Sequence, residues 1–408
     1  MSAGEAASLD GRVESLGDAF DLLAGFGDGG FLFERGGLGV ATSGPTIATA
    51  SPPATSRMLA DVDRSVRGGG RTVAVGSVRF RDTSGSASTL SIATRTVRRS
   101  AIGETIRIEV GDPGVSHPVV RTVGGSGPNE PFRPGQLRGV PIGDAYAAAV
   151  ADLVARIRGG ELRKVVLART IQVQAGRPLD PRRLAHRLRA VNPDAYAFAA
   201  PTATGTIVGA SPELLVSRFG REVRSNPLAG SAARSGDPVQ DRENGARLLG
   251  SAKDHEEHAI VVEAIAETLE PLCRELSWDP EPVLLETPNV WHLSTRFRGL
   301  LREPAPSALD MMLELHPTPA VAGEPRDGAF AAIERLEPFD RGAYAGPVGW
   351  VDARGDGEWA IALRCAELRG EHATMYAGAG IVGESEPAAE LDETERKFRA
   401  FLDALRWG

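Results

Sequence analysis

Cysteine is scarce in this chain, with only Cys273 and Cys365 among 408 residues. Two cysteines cannot supply a four-ligand zinc site or a disulfide framework, so we expect a reducing compartment. Basic charge is also short, because 46 Lys and Arg face 54 Asp and Glu and the formal net charge is −8. This balance argues against a nucleic-acid binder, which needs a basic surface to attract phosphates.

Long apolar runs are missing as well. No stretch of about 18 apolar residues occurs, which argues against a membrane-spanning helix. The N-terminal sequence MSAGEAASLDGRVESLGDAF is acidic and lacks a basic start followed by an apolar run, so no signal peptide is expected. We therefore expect a soluble, cytoplasmic protein without nucleic-acid or membrane partners.

Hydrophobic periodicity and turn residues predict a mixture of helices and strands, which favours the α+β class. Strands are expected at 72–78, 106–110, 162–173, on both sides of Ser211-Pro212, at 221–226, and in a hairpin formed by 345–352 and 358–368. Helices are expected at 146–157, ended by Gly159-Gly160, at 241–276 with a break near Ser251, and at 386–405. The segment 124–136 (GGSGPNEPFRPGQ) is dense in turn formers and indicates a loop or boundary.

Two of these helices carry acidic residues along one face. The residues that share a face are Asp254, Glu257 and His258 in one helix, and Glu390, Glu393 and Lys397 in the other. Together, two such faces could hold a hard cation such as Mg²⁺ through oxygen ligands. Spacing alone also allows two solvated helix faces, which is the more common situation. A zinc site is not indicated, because His255 and His258 are three residues apart rather than four.

Three other charged residues stand in apolar surroundings. Lys164 opens the strand KVVLA, where a buried lysine could serve as a general base, although most lysines at strand starts are exposed. Glu213 follows a Ser-Pro turn and could be held protonated as an acid, a weak signal alone. Arg364 lies among alanines in 359–368, where it could clasp a carboxylate or extend to water. The glycines of 377–381 indicate an anion-binding backbone or a tight turn.

The wording and order of the following segments resemble the chorismate-binding family, and within it the isochorismate synthases. The resemblance runs from Lys164 to the end of the chain and rests on LRKVVLAR (162–169), ASPELLVS (210–217), SNPLAGSAAR (225–234), LLGSAKDHEEHAIVV (248–262), VWHLST (290–295), LHPTPAVAGEP (315–325), LEPFDRGAYAGPVGWVD (336–352), GDGEWAIALRCAEL (355–368) and YAGAGIVGESEPAAELDET (376–394), followed by Lys397. It implies the anthranilate synthase component I-like fold, a β-sandwich-like core surrounded by helices. Residues 137–408 would form the catalytic region, and residues 1–136, which match only loosely, a variable N-terminal part.

The resemblance also implies a cofactor and its ligands. The family shares Mg²⁺ and the substrate chorismate. Glu257 and Glu393 are expected to ligate the ion, with Asp254 and Glu390 nearby holding ordered waters. The ion would bind the ring carboxylate of chorismate.

The implied reaction is the isomerisation of chorismate to isochorismate. Lys164 would be the general base for a water that attacks ring carbon 2, and Glu213 would donate a proton to the departing 4-hydroxyl. Further substrate contacts are expected from Gly230, Ser231, His292, Ala320, Tyr344, Arg364, Gly378, Ala379, Gly380 and Lys397.

Two positions separate members of this family. A lysine where Lys164 stands is expected if water is the nucleophile, and the HPTPA wording at 316–320 resembles isochorismate synthases, since other members usually carry threonine in place of Ala320. Salicylate synthase, which goes on to eliminate pyruvate, is the main alternative. An ammonia-using subunit with a glutaminase partner, or a non-catalytic paralogue, agrees less well with these residues. The pathway served (menaquinone, catechol siderophore or salicylate) stays open, and we expect a monomer.

Overall fold

The fold is described from a computed structural model, which covers residues 10–17, 20–66, 69–82, 87–100, 104–111 and 137–405. The boundary predicted at 124–136 lies outside these residues. Among the helices that are described, none is both long and apolar enough to span a bilayer.

Helices and strands follow one another along the whole described chain. The α-helices are α1 Leu22–Gly25, α2 Thr55–Asp63, α3 Gly143–Arg158, α4 Pro181–Val191, α5 Pro238–Leu249, α6 Ala252–Leu269, α7 Ala308–Leu315, α8 Arg326–Leu336 and α9 Pro387–Leu405. The strands are β1 Asp10–Leu16, β2 Leu32–Arg35, β3 Leu38–Ala50, β4 Val73–Ser77, β5 Leu90–Arg99, β6 Thr105–Gly111, β7 Leu137–Val140, β8 Lys164–Gln174, β9 Tyr196–Pro201, β10 Thr206–Ser211, β11 Leu214–Phe219, β12 Glu222–Asn226, β13 Leu228–Ala233, β14 Cys273–Trp278, β15 Val283–Glu286, β16 Val290–Ser294, β17 Phe297–Leu301, β18 Gly323–Glu324, β19 Pro347–Asp352, β20 Gly357–Ile361, β21 Cys365–Arg369 and β22 His372–Ile381.

Most strands belong to one antiparallel sheet with two arms. One arm runs β8–β22–β21–β10–β9–β2–β3–β5–β6–β1, and the other runs β4–β19–β20–β11–β12–β17–β14. The arms are joined where β4 pairs with β5, and β7 and β18 lie along the free edge of β8. A separate three-stranded sheet is ordered β13–β16–β15. This mixed architecture confirms the α+β prediction.

Strand alternation divides the core into two hydrophobic clusters. In β9, Tyr196 and Phe198 enter the larger cluster, which also contains Trp350 and Trp359 of the second arm. Ala199, which follows Phe198, enters a second cluster that includes apolar residues of α4 and α9. Successive side chains of a strand point to opposite faces, so the first arm is buried on both sides.

The predicted elements agree with the structure except at two places. The helix predicted to reach Leu276 ends at Leu269, because Pro271 lies in a short 3₁₀ turn and β14 begins at Cys273. The predicted strand 358–368 is broken into β20 and β21, since Arg364 has a positive φ of 50° that cannot continue a strand. Arg364 therefore lies in the interruption between the two strands rather than within one.

The break predicted near Ser251 is confirmed, and it sets the start of α6. Gly250 ends α5, and the Ser251 hydroxyl accepts a hydrogen bond from the backbone N–H of Asp254. Such a cap satisfies one of the free N–H groups in the first helical turn. The same turn carries the acids that the sequence singled out.

Replacing the cap tests its contribution to stability. We expect Ser251→Ala to lower the free energy of unfolding by about 1 kcal/mol, because one N–H of the first turn loses its acceptor. Urea unfolding followed by circular dichroism measures this change. Ser277→Ala is the matched control, since that exposed hydroxyl makes only a 3.4 Å contact with a carbonyl. Equal losses in the two variants would contradict the prediction.

Candidate active site

A small cavity of about 60 Å³, partly open to solvent, lies where both arms of the sheet meet the small sheet and helices α6 and α9. Its wall is built from residues that are far apart in the sequence. They are Val166, Pro212, Glu213, Leu228, Ala229, Gly230, Ser231, Glu257, His292, Ala320, Val321, Tyr344, Ala345, Leu363, Arg364, Gly378, Gly380, Glu393 and Lys397. All of them fall within the region 137–408.

Lys164 and Glu257 form a buried ion pair beside this cavity. The Lys164 side chain has no exposed surface, and its Nζ lies 3.1 Å from Oε1 of Glu257. The position of Lys164 at the start of a strand also allowed an exposed side chain, and that alternative is thus excluded. Gly380 leaves room for the pair, because a Cβ there would lie 2.0 Å from the same carboxylate oxygen.

Lys397 joins α9 to strand β22. Its ammonium donates to the carbonyl of Gly378 at 2.7 Å and to the Glu393 carboxylate. In an antiparallel strand the N–H and C=O of one residue point to the same side. The Gly378 N–H, and that of Gly380 two residues on, therefore point away from β8 and towards the side of Lys397. This arrangement excludes the tight turn considered for 377–381.

The two acids of α9, Glu390 and Glu393, differ in their protonation. Burial favours the neutral form of Glu393, but Lys397 and Lys253 outweigh it and lower the pKa of Glu393 to about 2. For Glu390, burial and the charge of Glu393 raise the pKa to about 7, although Lys253 lies 2.6 Å away. Buried carboxylates that repel each other are sites where added positive charge is favourable.

The acids of α6 and α9 suit a hard cation in their chemistry. Asp254 is half-buried beside Gly230, and burial together with the charge of Glu257 raises the pKa of Asp254. The ligand atoms that these acids offer are all oxygens, which Mg²⁺ prefers. Among the residues that are described, no three His, Cys, Asp or Glu converge in metal-binding geometry. Three of these acids contact a lysine instead, in the pairs Glu257–Lys164, Glu390–Lys253 and Glu393–Lys397.

Glu213 is the acid that burial affects most clearly. It lies between β10 and β11, is 2% exposed, and borders the cavity. Burial raises its pKa to about 8, although the charges of Lys164 and Arg364 and a hydrogen bond from the Leu228 N–H act in the opposite direction. At neutral pH the carboxyl is mostly protonated and can donate a proton.

Arg364 and His292 form a second polar contact across the cavity. Arg364 donates from its terminal nitrogen to Nε2 of His292 at 2.9 Å, and Nδ1 of His292 lies 3.2 Å from the carbonyl of Gly230. Since a guanidinium can only donate, Nδ1 carries the imidazole proton. Burial and the Arg364 charge lower the pKa of His292 to about 3, so the ring is neutral.

Tyr344 and Ala320 line the same cavity from two loops. The Tyr344 ring is buried and stacks on Tyr376, with centroids 4.9 Å apart and an interplanar angle of 11°. Ala320 follows α7 and the cis His316–Pro317 bond. Ala345, next to Tyr344, has a φ of 61°, and β19 begins two residues later at Pro347.

The structure brings nearly all of the predicted residues to one place. Lys164, Asp254 and Glu390 stand just behind the lining, in contact with residues that form it or with Lys253. Ala379 is the exception, because strand alternation turns its side chain into the hydrophobic core. Sequence reasoning missed Lys253, whose position within the acidic segment was an available signal. It also missed the apolar lining, which carries no chemical signature.

Comparison with known proteins agrees with this geometry. The profile of the chorismate binding enzyme family matches residues 137–406. The chain is 46% identical over 276 residues to the isochorismate synthase DhbC of Bacillus subtilis, covering 66% of this chain and 69% of that protein. It is 42% identical over 271 residues to the isochorismate synthase EntC of Escherichia coli K12, with the same coverage of each chain.

Solved structures extend the likeness to the N-terminal part. A crystal structure described as a 2,3-dihydroxybenzoate-specific isochorismate synthase of Bacillus anthracis has a TM-score of 0.82 at 34% identity, covering 95% of this chain and 99% of that one. Anthranilate synthase component I of Streptococcus pneumoniae, at 21% identity and a TM-score of 0.70, shares the fold, with 98% of this chain and 93% of that one covered. Because the family model matches residues 137–406, which is more than half of the chain, the chain belongs to the chorismate-binding enzyme family.

Proposed function

We propose that this protein is a Mg²⁺-dependent isochorismate synthase, an isomerase that converts chorismate to isochorismate. The observation that carries the proposal is that a buried lysine and a carboxyl held in its acid form stand around one cavity. Water addition at one ring carbon and hydroxyl loss at another require a base and an acid in one site. The relatives named above support the reaction, and residues 137–408 are proposed as the region that performs it.

Chorismate carries two carboxylates, and the protein as a whole is acidic. Binding therefore depends on local positive charge. We propose that Arg364, Tyr344 and the N–H groups of Gly378 and Gly380 hold the enolpyruvyl carboxylate. The guanidinium is already oriented by its contact with His292, so its side chain loses little conformational freedom when a carboxylate binds.

Lys164 and Glu213 have complementary roles in the proposed reaction. Lys164, in its neutral amine form, takes a proton from a water whose oxygen forms a bond to ring carbon 2. The double bond shifts as the bond between carbon 4 and its oxygen breaks, and Glu213 gives its proton to the leaving hydroxyl, which departs as water. One water enters and one leaves, so the product is an isomer. The reverse reaction uses the same two residues with their roles as acid and base exchanged.

Glu257 and Glu393 are proposed to hold the ion, with Asp254 and Glu390 binding its waters. When bound, Mg²⁺ would neutralise the ring carboxylate of the substrate and fix its position. Lysines, Lys164 among them, now contact these acids. With the ion bound, the acids would offer less negative charge to those lysines. Ala320 is proposed to favour the isomerase over members that carry threonine there.

Removing the base or the acid tests the assignment. We expect Lys164→Ala and Glu213→Gln each to lower kcat by about 10²–10⁴-fold, because general acid–base catalysis contributes on this scale. Chromatography of chorismate incubated with enzyme and Mg²⁺ measures isochorismate directly. Salicylate and pyruvate as products would instead support a salicylate synthase.

Two neighbouring substitutions serve as controls for charge loss alone. Arg163→Ala removes an exposed cation beside Lys164, and Glu222→Gln removes an exposed acid in β12. Both should keep wild-type turnover. If the wild-type protein leaves chorismate unchanged, the proposed activity is wrong.

The metal site can be tested without turnover. We expect Mg²⁺ to raise the melting temperature of the wild-type protein by mass action, and to do so much less in Glu257→Gln and Glu393→Gln. Differential scanning calorimetry across a Mg²⁺ titration measures the shift. Glu263→Gln, at an exposed position of the same helix α6, is the control and should respond like wild type. Identical responses in all variants would rule out these ligands.

The raised pKa of Glu213 predicts a pH dependence of stability. Its carboxyl has a pKa of about 8 when folded against 4.5 ordinarily, so between these values the unfolded chain has lost a proton that the folded chain keeps. Folding stability from this group is therefore full below about pH 4.5 and is lost as pH rises towards 8. The loss approaches about 1.4 kcal/mol per pH unit within the window.

Comparison with Glu213→Gln isolates this effect. The variant should lose less stability than wild type between pH 5 and 8, because an amide does not titrate. Chemical unfolding at several pH values gives both curves, and other titrating groups cancel in their difference. Parallel curves would show that Glu213 has an ordinary pKa.

A further inference from the structure

One edge of β8 lacks a strand neighbour next to the proposed base. On that edge β18 pairs with Lys164 and Val165, and β7 pairs with residues 170–173. Between them, the described chain places no strand against residues 166–169. Backbone groups at such a gap need other hydrogen-bond partners if they are buried.

A buried ion pair between Glu337 and Arg341 fills this gap. Oε1 of Glu337 accepts the Ala168 N–H at 2.8 Å, and Arg341 donates to the carbonyl of Val166 at 2.8 Å. The two side chains are each 2% exposed. Nε of Arg341 donates to Oε2 of Glu337 at 2.8 Å, so the pair is bidentate.

The loop that carries Ala320 lies next to β8, where the Val166 N–H donates to the carbonyl of Ala322 at 2.8 Å, and it is also contacted by the same guanidinium. Its remaining terminal nitrogen donates to the carbonyl of Val321 at 2.8 Å. Val166 and Val321 both line the cavity, Lys164 stands two residues before Val166, and Ala320 precedes Val321. One side chain therefore ties the strand of the proposed base to the loop that carries Ala320, although Arg341 and Glu337 do not line the cavity.

Stability alone gives no reason for an ion pair at this position. Removing two charges from water is costly, and an apolar pair of similar size is often as stable. An apolar pair, however, could not bind the backbone groups of Val166, Ala168 and Val321. The fixed fork of donors in a guanidinium can hold two carbonyls and a carboxylate at once.

We infer that Glu337 and Arg341 are positioning residues, which hold Lys164 and Ala320 at a fixed separation. The inference rests on the proposed function, because it assigns the pair to the alignment of that base. Small displacements of a catalytic group reduce the rate of the chemical step more than they reduce substrate binding when the binding groups are unmoved. Arg364 and Lys397, proposed for binding, are held by other contacts.

The double variant Glu337→Met/Arg341→Met tests this role without leaving a single buried charge. We expect it to fold, with kcat for chorismate lowered by about ten- to a hundredfold and KM changed by less than about twofold. The control is Asp152→Ala/Arg335→Ala, which removes an exposed ion pair between α3 and α8 and should keep wild-type kcat. A folded double variant with wild-type kcat would overturn the inference, as would a rise in KM with kcat unchanged.

Hydrogen exchange supplies a readout that needs no turnover. In the double variant the Ala168 amide should exchange much faster, whereas the Leu167 amide, in the ladder with β22, should keep its protection. Unchanged Ala168 protection would overturn the inference even if the enzyme is inactive. A wild-type protein that leaves chorismate unchanged would refute the proposed function, and the exchange result would still decide whether the pair holds β8.

Arg341→Lys provides a second variant if the double variant does not fold. It keeps the charge beside Glu337 but cannot reach both carbonyls, so kcat should fall by a smaller factor with KM again little changed. Wild-type kcat in this variant would count against the positioning role.

Discussion

The ion pair between Lys164 and Glu257 joins the start of β8 to α6 at a depth where the lysine has no exposed surface. A charge at this depth is tolerated only beside an opposite charge, since burial otherwise drives it to the neutral form. The pair therefore fixes the distance between a strand and a helix that share no hydrogen-bonded ladder. It also requires the glycine at position 380, because any side chain there would occupy the place of the carboxylate. This contact therefore adds α6 to the ladder of β8 and β22 beside the cavity.

The same rule extends to the other acids. Glu390 and Glu393 each contact a lysine, and the two carboxylates differ in pKa because the lysines are not shared equally between them. Where the counter-charge is more distant, burial dominates, as for Glu213. The balance between burial and nearby cations thus keeps Glu393 ionised, which suits it to hold a cation, and Glu213 protonated, which suits it to donate a proton. No separate device is needed to assign these roles.

The sequence predicted most elements because their signals are local. Periodicity located α3, a serine followed by an aspartate located the break before α6, and alternation located β8. It failed at Cys273–Trp278, where pairing with β17 overrides a continuing helical pattern. For the site, spacing alone could not separate buried acids from solvated faces, and the family resemblance provided the residues. Glu337 and Arg341 carried no signal, because their role depends on a gap between strands that are distant in sequence.

The cavity lies where the sheet departs from regular pairing. β21 pairs with β22 only as far as Met375, so the described chain places no strand against Gly378 and Gly380 on that side. The interruption between β20 and β21 turns Arg364 towards His292, and the corner between β10 and β11 presents Glu213. A fully paired sheet would use these backbone groups in its own ladders and direct alternate side chains into the core. Each irregularity costs hydrogen bonds that the ladder would otherwise supply, and buried side chains such as Glu337 and Arg341 replace them. The geometry of the cavity and the polar residues behind it are therefore consequences of the same incomplete pairing.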